Sequence, residues 1–257
     1  MLTLYQDCYN PLLLKKLLGS AEWPQAIDEE LLEPIDKTQR AHCIIDFTIG
    51  SHLSNGVENF LDFGCGSGET VKIAPEYGVK NAVGYDIEPA EGVTTKFKEV
   101  QEKGPYDVII VEDVLDHLID ETINDAVAKI VSVLAPGGMA FVRCHPYWSR
   151  AGTHLPAHGT NKAYAHIFFP ELRGEHTNKI LHPVHHYRNV FCQQGLQIAH
   201  ELLCRQEVED FFKNHVQMWY MLEKSLKAHN FLWQLRVQYA EFALQHRDPR
   251  VSQENTI

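Results

Sequence analysis

No two of the six cysteines, at positions 8, 43, 65, 144, 192 and 204, are spaced as a CxxC pair. That lack removes the usual zinc and disulfide frameworks, and free thiols in a reducing compartment are the expectation. Missing too is any apolar run near the ~20 residues that cross a bilayer. The opening MLTLYQDCYNPLLLKKLLG lacks signal-peptide order, because its lysines follow the leucines instead of preceding them. The sequence therefore predicts a cytoplasmic protein with no membrane partner. A basic surplus is also lacking. Thirty-four acidic residues against 23 basic ones give a formal charge of −11, which argues against gripping a nucleic-acid backbone.

The 257 residues suit one generous α/β domain with additions at either end. Residues 1–56 read as a helical N-terminal extension: a leucine-rich Leu12–Leu18, a capped start at Asp28, and a helical spacing from Lys37 to Leu53. From residue 57 the rhythm changes to short apolar strands alternating with helices, at Val57–Phe63, Glu69–Tyr77, Asn81–Tyr85, Asp107–Val111, Leu115–Leu134 and Met139–Arg143. That alternation predicts βαβ units and a doubly wound, mostly parallel sheet. Within the core, 57–204, residues 145–184 break the pattern and form a long insertion. A helix at Tyr187–Gln194 and a strand at Gly195–Leu203 follow. Residues 205–257 are expected to be C-terminal helices, through His246, and a polar tail. Their aromatic- and methionine-rich faces suit a helix pair packed on the core, with a homodimer interface as the alternative.

The run LDFGCGSGET at 61–70 is the most informative stretch. A strand ends at Asp62–Phe63, and Gly64, Gly66 and Gly68 precede a helix. Such glycines let the backbone turn sharply and approach a ligand closely, while the helix start offers free N–H groups. The dinucleotide pattern would need a small residue where Glu69 stands, and a Gly-Lys-Ser/Thr phosphate loop is absent. Asp86 ends the next strand, 18 residues after Gly68, placed to accept from ribose hydroxyls.

The Asp-x-Gly-x-Gly-x-Gly pattern resembles motif I of class I S-adenosylmethionine-dependent methyltransferases. YDVIIVEDVLDHL at 106–118 and LAPGGMAFV at 134–142 resemble that family's fourth and fifth strands, so the likeness covers residues 57–145 by motif and 185–203 by topology. It implies a Rossmann-like seven-stranded sheet and S-adenosylmethionine as cofactor, with S-adenosylhomocysteine as product. The cofactor residues it implies are Asp62, Gly64, Cys65, Gly66, Gly68, Asp86, Ile87, Glu112 and Asp113. Asp62 is expected to act indirectly, and Cys65 and Ser67 to occupy the turn. Thr94–Val100 stands where the family's third strand falls, but it is short and lysine-containing, so no adenine contact is assigned there.

The acceptor side rests on histidines. Eight of the 15 lie between 145 and 186, among aromatic and proline residues. A hydroxyl acceptor needs its proton removed, and histidine suits that work near neutral pH. His154 and His145 lead by position. WSRAGTHL and AHIFFPE, at 148–155 and 165–171, resemble a pattern in a branch of bacterial methyltransferases whose histidines match His154 and His166, although Arg150 and Thr153 depart from it. His117, one turn beyond Asp113, is the fourth candidate. A divalent metal is the less favoured alternative: His154 and His158 are four apart, but Pro156 works against a shared helical face. The expected acceptor is therefore a small molecule methylated on a hydroxyl. Alternatives are RNA or protein, though the Asn/Asp-Pro-Pro-Tyr/Phe motif of amino-directed nucleic-acid enzymes is absent, and a non-catalytic cofactor-binding scaffold.

Overall fold

A computed structural model describes residues 36–50, 56–147, 149, 164, 167, 182–205 and 237–247. The chain divides into two compact units. One comprises Pro34–Cys144, His185–Leu202 and Glu241–Ile257; the other comprises Met1–Glu33, His145–Val184 and Leu203–Ala240.

The first of these units opens with α1 (Lys37–Thr48), whose N-cap Asp36 accepts from the Thr38 N–H at 3.1 Å. Its buried positions, Ala41, Ile45 and Thr48, recur at helical spacing and so fall on one face. Ala41 and Ile45 join Phe60, Ile73, Val108 and Ile110 in a continuous core. Strand β1 (Asn59–Phe63) is buried almost throughout, as expected for a strand covered on both faces. It leads through the glycine turn into α2 (Glu69–Ile73), which tightens to a 3₁₀ turn at Ala74–Tyr77 where Pro75 removes an N–H. Next come β2 (Asn81–Tyr85), β3 (Val93–Thr94), α3 (Phe97–Lys103) and β4 (Tyr106–Glu112). Helix α4 (Asp120–Val133) buries Ile123, Ala126, Val127, Ile130 and Val133 along one stripe, with Asp120 and Glu121 in its first turn. Then follow β5 (Leu134–Cys144), α5 (Val184–Gln193), β6 (Leu196–Arg205) and β7 (Val237–His246).

The seven strands run in the order β3-β2-β1-β4-β5-β7-β6. Pairings β1–β2, β1–β4, β2–β3 and β4–β5 are parallel. The order reverses direction between β1 and β4. In open α/β sheets the crevice outside the carboxyl ends of the strands at such a reversal is where ligands bind. No described helix is long and apolar enough to cross a membrane.

Three expectations are corrected. Val237–His246 is a strand, not the end of a helix. Ala240, Phe242 and Leu244 are buried at period two, and Phe242 packs edge-on to Phe191 with ring centroids 5.2 Å apart. Thr94–Val100 is mostly helix rather than strand, β3 being only Val93–Thr94. The Thr94 hydroxyl accepts from the Lys96 N–H at 3.2 Å and donates to Glu99 at 2.7 Å, a local turn that starts α3. The fifth strand begins at Leu134, not Met139. Pro136-Gly137-Gly138 sits inside it as a bulge, where register jumps from Tyr106↔Leu134 to Val108↔Met139.

Candidate functional site

The glycine turn joins β1 to α2 and is tied to the end of β2. Gly64 and Cys65 both donate to the Tyr85 carbonyl, at 2.7 and 3.2 Å. Gly64, Gly66 and Gly68 have φ of 87°, 53° and 74°, the left-handed region that side chains disfavour. Their spatial needs differ. A Cβ on Gly64 would lie 2.2 Å from Val114 Cγ2, whereas one on Gly66 would meet no described atom within 4 Å. Gly64→Ala is therefore expected to cost about 3 kcal/mol, from backbone strain and overpacking together, while Gly66→Ala costs only the strain, about 1 kcal/mol. Urea unfolding of the two variants checks this; equal losses would contradict it.

Asp86 stands at the tip of β2. Its Oδ2 accepts from the Gly66 N–H at 2.8 Å and its Oδ1 from the Glu88 N–H at 3.0 Å. A carboxylate has about four acceptor sites, so each oxygen retains capacity for a further donor. The geometry fits a vicinal diol such as that of a ribose. Ile87 follows directly and is 80% exposed, an apolar side chain beside the carboxylate that suits a flat heterocycle.

Asp62, at the end of β1, lies beneath the turn at 5% exposure and accepts a hydrogen bond from the Thr70 hydroxyl of α2. Burial pushes its carboxyl up to about 7. The Thr70 hydroxyl opposes that shift, and the charges of Glu112 and Asp86 add to it. That hydrogen bond ties the end of β1 to the first turn of α2. Cys65 is half-buried, and burial first, then the Asp62 and Asp86 charges, push its thiol up to about 12. A thiol held there is no nucleophile.

Glu112 and Asp113 close the site at the end of β4. Arg40 of α1 donates to both, at 2.7 Å to Glu112 and 3.1 Å to Asp113, and Arg143 of β5 donates to Glu112 at 3.0 Å. Burial alone would lower the Arg40 guanidinium, but the hydrogen bonds and charges of the two carboxylates outweigh it and hold it above its ordinary range. Asp113 has φ 52°, unusual for a residue with a side chain, and its N–H donates to the Arg143 carbonyl at 3.0 Å. Glu241 of β7 feels this cluster: burial raises its carboxyl, Arg143 opposes that and Glu112 reinforces it.

All nine expected cofactor residues thus gather in one unit, at the carboxyl ends of β1, β2 and β4. His117 is half-buried in a 3₁₀ turn, Leu115–His117, beyond Asp113. His145 belongs to the other unit, its ring edge-on to Tyr239 at 6.3 Å. His154 and His166 lie outside the described residues. Sequence reasoning missed Arg40, Arg143 and Thr70. Arg40 is 72 residues from its partner Glu112, so no local spacing announces it, whereas Thr70 had a usable signal, since it faces back toward Asp62 from the first turn of α2.

The reversal between β1 and β4, the three-glycine turn and the carboxylate at the tip of β2 are the arrangement that the resemblance to S-adenosylmethionine-dependent methyltransferases implies. A methyltransferase-domain family matches residues 24–201, well over half of the chain. The chain belongs to that family and is a methyltransferase. Among solved structures it is similar to an S-adenosylmethionine-dependent methyltransferase from Archaeoglobus fulgidus. That likeness is 17% in identity, covers 81% of this chain and 92% of the other, and has a TM-score of 0.50. A second such enzyme, from Clostridium acetobutylicum, is 12% identical, with 86% and 96% of the two chains covered and a TM-score of 0.51. No curated protein matches the chain in sequence.

Proposed function

We propose that this methyltransferase takes its methyl group from S-adenosylmethionine and delivers it to a hydroxyl of a small-molecule acceptor, with a histidine receiving the proton. The observation that carries the donor assignment is Asp86, fixed by two backbone N–H groups with an accepting site left on each oxygen. When bound, the sulfonium supplies a methyl carbon electrophilic enough for direct attack by an acceptor lone pair. The chain's own work is to bind and orient. Asp86 takes the ribose hydroxyls and Ile87 flanks the adenine. Gly64, Gly66 and Gly68, with the Cys65 backbone between them, keep side chains out of the cofactor's path. Asp62 supports the turn from below, and Glu112 and Asp113 hold the amino-acid end of the donor.

The acceptor assignment rests on chemistry along the chain. A formal charge of −11 disfavours a polyanionic substrate. The histidine-rich stretch from 145 to 186 supplies bases suited to a hydroxyl, with His154 first and His145 and His166 behind it, and His117, outside the stretch, is the fourth candidate. The test uses methyl-labelled donor with panels of hydroxylic small molecules, RNA and protein. Label is expected in the small-molecule fraction, and label in acid-precipitable RNA or protein would overturn the acceptor assignment. His154→Ala is expected to lower kcat by roughly 10²–10⁴-fold, the usual worth of a general base, with donor affinity unchanged by calorimetry. A variant with full kcat would remove His154 from that role.

A further inference from the structure

Four carboxylates, Asp62, Asp86, Glu112 and Asp113, stand at the carboxyl ends of β1, β2 and β4. Arg40 donates to both Glu112 and Asp113, and its side chain is 50% exposed. It arrives from α1, outside the sheet. Asp113, to which it donates, has φ 52°, a left-handed conformation uncommon for residues with a side chain.

We propose that Arg40 is a specificity-determining residue that sets how strongly the site prefers the charged methyl donor over the neutral product of transfer. This rests on the donor assignment above. In the reaction the sulfur–methyl bond breaks and its electron pair stays on sulfur. The methyl carbon bonds to the acceptor oxygen, and the acceptor proton passes to a base. Donor and product therefore share every recognition group and differ by one methyl and one positive charge. A change in local charge acts on the amino-acid end that both ligands present and on the sulfonium that the donor alone carries, so the first effect cancels in the ratio of their affinities and the second does not.

Arg40 places a positive charge against Glu112 and Asp113, so it tempers the attraction those carboxylates offer a sulfonium. Removing it leaves them less compensated, and donor binding gains relative to product binding. Any loosening of the β4 tip weakens both ligands alike and cancels in their ratio. The ratio thus separates an electrostatic role from a structural one.

The experiment is calorimetric titration of the full chain with S-adenosylmethionine and with S-adenosylhomocysteine, for wild type, Arg40→Met, Arg40→Gln and Arg40→Lys. The ratio of product Kd to donor Kd is expected to rise by about threefold to tenfold in the Met and Gln variants, a Coulombic effect across a partly solvated site. The Lys variant, which keeps the charge, should stay within about twofold of wild type on the same grounds. Added salt should shrink the difference. Gln retains hydrogen-bond donors without charge and so reads the effect if Met loosens the fold. Equal changes in both Kd values for Met and Gln would overturn the proposal while leaving the donor assignment intact. A wild type that binds neither ligand would overturn both.

Discussion

Asp86→Ala is expected to weaken S-adenosylmethionine binding by about 100-fold or more. Two hydrogen bonds from ribose hydroxyls to an ionised carboxylate contribute about 1.5–3 kcal/mol each, and about 1.4 kcal/mol is tenfold in affinity. The side chain also fixes its own surroundings. Its two oxygens hold the Gly66 and Glu88 N–H groups, so its loss frees the turn as well as removing the acceptor. Asp86→Asn separates the two contributions. It keeps one acceptor oxygen and loses the charge, and an intermediate loss of about tenfold is expected. Calorimetry on wild type and both variants, with circular dichroism to check folding, decides the matter. Wild-type affinity in Asp86→Ala would mean that the ribose is held elsewhere.

Asp62→Asn is expected to stabilise the fold, and to do so increasingly as pH rises. The buried carboxyl titrates at about 7 in the folded chain against an ordinary 3.8. A raised carboxyl pKa means that the folded state binds the proton more tightly than the unfolded state does. The penalty is absent below the unfolded value, grows between the two, and is complete above the folded one. Three units correspond to about 4 kcal/mol. Asparagine carries no such penalty and still offers an oxygen to the Thr70 hydroxyl. Between about pH 5 and about pH 8 its advantage over wild type should widen by about 2–3 kcal/mol, or roughly 5–10 °C in Tm. Thermal unfolding at the two pH values measures it. An advantage that is constant with pH would show that burial does not hold the proton on Asp62.

Much of this was legible in the sequence because the relevant physics is local. A backbone that must take positive φ selects glycine, so Gly64, Gly66 and Gly68 announce their turn. A buried strand end reads as a short apolar run, and Asn81–Tyr85, buried from Val83 to Tyr85, is matched residue for residue. What escaped is non-local. The period-two burial of Ala240, Phe242 and Leu244 is blurred because Ala243, on the other face of the strand, is buried as well. The α3 helix hides behind Thr94, whose hydroxyl bonds turn the chain out of the sheet after two residues. The Arg40 pairings join a helix to a strand tip far along the chain, and only the packing of α1 on the sheet brings them together. His154, ranked first, and His166 lie outside the described residues, so the acceptor side rests on composition and resemblance.

The doubly anchored carboxylate of Asp86 has a kinetic consequence. A free aspartate side chain samples several rotamers, and a ligand that needs one of them must halt that motion on arrival. Here two amides of the chain have already halted it, so the ordering cost was met during folding and does not fall on the encounter. On the proposed donor assignment, docking of the sugar edge then calls for no rearrangement at the tip of β2, and capture of the donor can proceed at the pace of diffusion and orientation.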